Sequence, residues 1–286
     1  MYVKTFHDPD TATFTHIVVD ESTAKCAVID SVLDYDHFAG TVKTDSADQV
    51  IDYIRTNNLK NEWILESHIH ADHITASSYL KTHIGGQTAM SKRIKEVLEI
   101  WVPIFDSSED TLISGDQFDR LLDEGDQISI GSITLETWLT PGHTPACASY
   151  YCAEHNAIFV GDTIFAPHLG TARCDFPGGS AADLFNTVQR FYTLPDETVV
   201  YLCHDYPKDG ESPLESITIG EQKTSNKQIQ PDTEFSEYVA KREARDATLS
   251  VPKLLYPSIQ TNLRLGEFGV KSKNGLQYIK IPINAL

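Results

Sequence analysis

Three histidines and an aspartate fall within six consecutive residues, His68-Ile69-His70-Ala71-Asp72-His73. Imidazole nitrogens and carboxylate oxygens bind zinc, iron and manganese, so this density points to a metal. Further along stand His143 in Thr140-Pro141-Gly142-His143-Thr144, Asp162 in Gly161-Asp162-Thr163, and His204 in Cys203-His204-Asp205-Tyr206. These five histidines and two aspartates are more than one ion needs. They could hold two metals bridged by Asp162, or one metal with the other groups hydrogen-bonded around it. A centre without thiolate ligands is usually catalytic, because it keeps a position open for water or substrate. Pro141 and Gly142 make a tight turn that sets the His143 ring, and Gly161 allows close backbone approach before Asp162. The isolated His7, His37, His83 and His155 read as ordinary surface or core residues. Cys203 reads as a small buried hydrophobe.

The elements that must position these groups follow from hydrophobic period and turn residues. Residues 14–19 and 26–29 read as a hairpin across Asp20-Glu21-Ser22-Thr23. Ser46 and Gln49 open a helix through residues 50–54, residues 63–65 form a buried strand, and residues 74–84 form a helix stopped by Gly85-Gly86. Strands are predicted at 127–130, 133–139, 146–151, 157–160 and 199–202, with a helix at 181–192 capped by Ser180. The candidate ligands thus follow the carboxyl ends of four strands, ending at Leu65, Leu139, Val160 and Leu202. In an α/β fold that edge is where loops converge into a site. Residues 207–231 read as a long loop and residues 234–249 as a charged helix ended by Val251-Pro252. Two short apolar pieces, 254–257 and 278–283, are expected to cover the rim without forming a core of their own.

With 23 Lys+Arg against 41 Asp+Glu, the 286-residue chain carries a net charge of −18. That excludes a general nucleic-acid binder and disfavours an anionic membrane surface. The five cysteines include no CxxC pair, which fits reduced thiols and argues against both a disulfide framework and a sulfur-based zinc site. Residues 1–8 show no secretory pattern, and no apolar run approaches the roughly 20 residues of a membrane span. A soluble cytoplasmic protein is expected.

The series His68-x-His70-x-Asp72-His73, Pro141-Gly142-His143, Gly161-Asp162 and His204 resembles the metallo-β-lactamase superfamily over residues 14–206. The resemblance implies an αββα sandwich, with residues 1–206 as the catalytic domain and 207–286 as a C-terminal extension packed on it. Within the superfamily the chain looks most like the branch of glyoxalase II and the persulfide dioxygenases. Arg173-Cys174-Asp175-Phe176 and His204-Asp205-Tyr206 resemble the dioxygenase side. Two departures are a slightly longer interval from Asp162 to Arg173 and a longer C-terminal extension. The dioxygenases imply one Fe(II) per chain held by His68, His143 and Asp162, with His70, Asp72, His73 and His204 hydrogen-bonded around it. The implied catalytic residues are Asp72, Arg173 and Asp175. Arg173 would meet a glutathione carboxylate or a sulfur oxyanion, and Asp175 would hold the arginine. Substrates would be O₂ and a small-molecule thiol or persulfide, glutathione persulfide first, with sulfite as product. The other branch implies a thioester hydrolase with two Zn(II), in which His70, Asp72, His73 and His204 become ligands. A homodimer is compatible with either.

Overall fold

The computed structural model describes residues 1–207 and 210–285. Two six-stranded sheets lie face to face. The first has the order β1-β2-β3-β6-β7-β8 and the second β14-β13-β12-β11-β10-β9. The first holds β1 (Tyr2–Asp8), β2 (Thr13–Asp20), β3 (Lys25–Ile29), β6 (Lys60–Leu65), β7 (Gln87–Ser91) and β8 (Arg120–Leu122). A two-stranded ribbon, β4 (Tyr35–Asp36) and β5 (Thr41–Val42), stands apart from both sheets. The second sheet holds β9 (Gln127–Ile130), β10 (Ile133–Leu139), β11 (Ala148–Cys152), β12 (Ala157–Phe159), β13 (Val199–Tyr201) and β14 (Ser216–Thr218).

Strand β2 shows why this sequence makes layers. Its side chains alternate between faces, and both faces are apolar. Val18 joins the core between the sheets with Ala27, Leu65, Ile128, Leu135, Tyr150 and Phe159. Ile17 and Val19 face the other way, onto Val50, Ile51 and Ile54 of α1 (Asp45–Thr56) and Leu80 of α2 (Ser77–Ile84). On the opposite outer face, Leu184, Val188 and Phe191 of α4 (Ala181–Phe191) pack on Trp138, Ile158 and Val200. The result is an αββα sandwich. Parallel neighbours β3·β6, β6·β7, β7·β8 and β12·β13 require crossovers, supplied by α1, α2, α3 (Ile94–Phe105) and α4.

The C-terminal third departs from expectation. Residues 207–231 are not simply a loop. They contain β14, which pairs antiparallel with β13, and α5 (Ile219–Ser225), opened by a capping box in which Thr218 and Glu221 satisfy each other's backbone N–H. A three-residue strand has too little side-chain pattern to announce itself; it is defined by backbone pairing to the sheet edge. Helix α6 (Phe235–Asp246) places Tyr238 in the core beside α4. The apolar piece at 254–257 is the start of a helix, α7 (Leu255–Asn262), whose Leu255 and Ile259 pack with Trp101 and Phe105 of α3. Tyr278, Ile281 and Ile283 are more than half exposed. Strands β1, β7 and β8 and helix α3 lie outside the elements expected from the sequence, although α3 carries a helical apolar stripe, Ile94, Val97, Leu98, Trp101, Val102 and Phe105. Helix 74–84 begins only at Ser77 because Ile74 is drawn into a bridge with Leu33.

Candidate metal centre

The four strand ends anticipated from the sequence meet at one rim, β6 from the first sheet and β10, β12 and β13 from the second. Past β10, Gly142 adopts φ +148°, and a Cβ there would lie 2.5 Å from Leu184 Cα. Only glycine lets the His143 turn sit against α4. Past β12, Gly161 has φ +52°, and a Cβ there would lie 2.4 Å from Ser67 Oγ. The backbone carrying Asp162 is thereby pressed onto the loop carrying His68. All seven candidate ligands come together. His68, His70, His73, His143, Asp162 and His204 are buried and Asp72 is half-buried.

One oxygen of Asp162, Oδ2, lies 3.8 Å from His68 Nε2 and 3.8 Å from His143 Nε2. Its other oxygen, Oδ1, is 3.2 Å from His204 Nε2, which is also 3.2 Å from Asp72 Oδ2. The ligand atoms of His68, His143 and Asp162 lie within 4.8 Å of one another, and so do those of His70, Asp72 and His73. Each histidine is aimed by its second ring nitrogen. His143 Nδ1 is 2.7 Å from the Arg173 carbonyl, His68 Nδ1 is 2.9 Å from Ser67 Oγ, and His70 Nε2 is 3.2 Å from both Asp30 Oδ1 and Glu66 Oε2.

What remains is a set of buried polar atoms without hydrogen-bond partners: His68 Nε2, His70 Nδ1, His73 Nε2, His204 Nε2, Asp72 Oδ2 and Asp162 Oδ1. Orphaned buried donors and acceptors are costly, and six crowded into one rim need a common partner. A divalent cation fits this donor set. Burial, with the neighbouring imidazoles, pushes His68 well below the ordinary imidazole range. Burial opposes charge on His70, yet the Asp30 and Glu66 carboxylates hold it well above that range. Burial also raises Asp72, but His204 and His73 outweigh it and hold the carboxyl low.

Arg173 and Asp175 sit on the wall of the adjoining cavity as a bidentate pair, with Nε–Oδ1 and Nη2–Oδ2 both 2.6 Å. The third nitrogen of Arg173, Nη1, donates to the Ser250 carbonyl at 2.8 Å, and its guanidinium lies 4.9 Å from the Phe176 ring. Its donors are therefore turned to protein groups, and its direct link to the centre is the carbonyl that receives His143. The cavity, about 420 Å³, reaches Asp72, His143 and Asp162 between apolar Phe165, Leu169 and Phe176. Lys227, Arg242 and Arg245 of the C-terminal part line its outer end. Arg242 is engaged by Asp246 at 2.5 Å, whereas Lys227 and Arg245 form no ion pair among the described residues. A neighbouring cavity of about 510 Å³ shares Asp72 and Tyr206 but is lined by Asp8, Asp10, Asp34 and Asp36.

Several functional residues were not singled out in the sequence. Asp30 and Glu66 clamp His70, and Asp30 also accepts from Ser67 N at 2.7 Å. Asn262 of α7 donates to the carbonyls of His70 and His73 at 2.9 and 2.8 Å and accepts from Thr75 N at 2.9 Å. Asp30 could have been found by the same rule as the others, because it follows the end of strand β3. Nothing local marks Asn262. All five cysteines are free and buried, and Cys203 Sγ lies 3.7 Å from Asp30 Oδ2.

The family model of the metallo-beta-lactamase superfamily matches residues 10–204. Glyoxylase B2 of Dictyostelium discoideum is 45% identical over 285 residues, covering 99% of this chain and 97% of its own. The mitochondrial persulfide dioxygenase ETHE1 of Homo sapiens is 27% identical over 265 residues, 92% of this chain and 88% of its own. The crystal structure of ETHE1 from Myxococcus xanthus superposes with a TM-score of 0.74 at 26% identity, covering 93% of this chain and 100% of that one.

Proposed function

The chain belongs to the metallo-β-lactamase superfamily, and from that membership we propose that it is a non-haem Fe(II)-dependent persulfide dioxygenase. The observation that carries the reading is the trio His68, His143 and Asp162, whose ligand atoms lie within 4.8 Å of one another. Two imidazoles and one carboxylate on one face are the donor set of non-haem Fe(II) oxygenases, with positions left open. The similarity to a human persulfide dioxygenase supports it. The overall reaction, glutathione persulfide + O₂ + H₂O → glutathione + sulfite + 2 H⁺, needs no further oxidant.

Iron, when bound, supplies the one-electron chemistry that O₂ requires and a seat for the persulfide sulfur. The chain's own residues do the rest. His143 and His68 are held with Nε2 inward by Arg173 O and Ser67 Oγ. Phe165, Leu169 and Phe176 give the cavity beside the centre an apolar wall. Arg173, held by Asp175, props the His143 ring through its backbone and sets the wall beside it. The free cations at the outer end, Lys227 and Arg245, supply the positive charge that an anionic carrier needs on a chain of net charge −18. Asp72, half-buried between the two cavities, is placed to hold a water or a substrate proton. We also infer that residues 1–206 form the catalytic domain and 207–286 an extension packed on it, acting in the cytoplasm.

A dinuclear glyoxalase II-like thioester hydrolase is the second reading. It is favoured by the orphaned Nε2 atoms of His73 and His204, and by the glyoxylase name of the 45% relative. Anaerobic purification with metal analysis, then O₂ uptake on adding glutathione persulfide, separates the two. One iron per chain with stoichiometric O₂ consumption and sulfite is expected; two zinc ions with no O₂ uptake would sink the dioxygenase.

A further inference from the structure

His73 and His204 turn their unpartnered Nε2 atoms toward the centre and their Nδ1 atoms toward the start of strand β2. One hydroxyl meets both: Thr13 Oγ1 lies 3.3 Å from His73 Nδ1 and 3.3 Å from His204 Nδ1. Thr13 is fully buried, and its backbone is bridged to His204, with Phe14 N donating to the Cys203 carbonyl at 2.7 Å. The N-terminal turn is thus laced to the strand end that carries His204.

The hydrogens along this chain can be assigned by counting. A carboxylate only accepts, and each hydroxyl has one hydrogen and two lone pairs. Asp8 Oδ2 is 2.5 Å from Thr11 Oγ1, so Thr11 donates to it. Thr11 Oγ1 is 2.8 Å from Thr13 Oγ1, and with the Thr11 hydrogen already committed, Thr13 is the donor. Thr13 then has only lone pairs to offer the two rings. Both histidines must carry hydrogen on Nδ1, so that the neutral form of each ring offers Nε2 as a lone pair to a cation. The Ala12 carbonyl, an acceptor 3.3 Å from His204 Nδ1, demands the same tautomer. Ala12 adopts φ +58°, a left-handed backbone that a non-glycine residue rarely adopts, and its carbonyl reaches His204 from there.

We propose that Thr13 is a positioning residue for His73 and His204, fixing the tautomer and aim of both rings through the relay Thr13–Thr11–Asp8. The relay keeps this half of the centre ready for a second divalent cation, whatever occupies the first half. The inference rests on the proposed function only in taking the centre to be a metal site. It does not depend on whether the reaction is oxidation or hydrolysis.

The test is a titration of the full-length apo-protein with Co(II), read by its visible d–d bands and by metal content after buffer exchange. The wild type is expected to take two equivalents. Thr13→Val, which keeps the shape and loses the hydroxyl, should bind the first equivalent normally and the second about 10–100-fold more weakly. Thr13→Ser should restore the second equivalent. Thr11→Val touches neither histidine and should weaken the second equivalent by a smaller factor. A wild type that accepts one equivalent, a Thr13→Val variant with both affinities intact or both lost, or a serine variant that fails to rescue would each overturn the proposal. If Thr13→Val does not fold, Thr11→Val decides, and an unchanged second affinity refutes the relay. Absence of O₂ uptake by the iron-loaded wild type would remove the dioxygenase reading and leave these affinities untouched.

Discussion

Asp162 reaches both halves of the centre, with one oxygen 3.8 Å from His68 and His143 and the other 3.2 Å from His204. Asp162→Ala should therefore strip metal and activity together, and full metal content in that variant would refute its assignment as a ligand. Asp72 is more discriminating, because its carboxylate meets His204 and His73 and neither His68 nor His143. Asp72→Ala should retain iron with lowered turnover in a mononuclear dioxygenase, and loss of iron would argue for two coupled metals. The residue types of this centre were legible in the sequence, since six-residue spacing and strand-end placement are local properties. Their hydrogen-bond partners were not. Which nitrogen of His70 faces inward depends on Asp30, forty positions away in the chain. Arg173 shows the same limit: its proximity to the centre followed from the motif, but the direction of its guanidinium follows from Asp175 and Ser250.

At the scale of elements, helix α7 does more than cover a rim. Asn262 at its end satisfies two carbonyls and one N–H of the loop from His70 to Thr75. Asn262→Ala leaves those buried groups unpaired, each a loss of ~1–3 kcal/mol before relaxation. The expected outcome is a thermal midpoint lower by several degrees and weaker metal retention, measured by calorimetry and metal analysis. A midpoint and metal content equal to wild type would show that the loop holds itself. Long periodic elements such as α1 and α4 could be read from their apolar stripes. Strand β14 and helix α5 could not, because three strand residues and seven helix residues carry too little pattern and depend on β13 and on the Thr218 cap.

The whole molecule sets a charge and a pH limit on that site. A net charge of −18 repels an anionic substrate at long range, and Lys227 and Arg245 on the cavity wall offset it locally. Away from the centre, His16 is buried with Nε2 2.8 Å from the Leu202 carbonyl, and burial holds its pKa below the ordinary imidazole range. The folded protein then binds fewer protons than the unfolded chain as pH falls below ~6.5, so stability declines with acid by up to ~1.4 kcal/mol per pH unit for this group. Comparing thermal midpoints at neutral and mildly acidic pH should show a steeper loss in wild type than in His16→Gln; parallel slopes would exclude His16 as the cause. Among the described residues no helix is long and apolar enough to cross a membrane. From the sequence alone come the ligand inventory, the order of its motifs, the strand ends that carry them and the net charge of −18, because each is written in neighbouring residues or in bulk composition. Tertiary structure alone decided which ring nitrogens are left without a protein partner, that Arg173 turns its remaining donor to the Ser250 carbonyl, and which cations face the cavity. Those outcomes are set by contacts between residues as far apart as Asn262 and His70, 192 positions in sequence, and no local pattern encodes them.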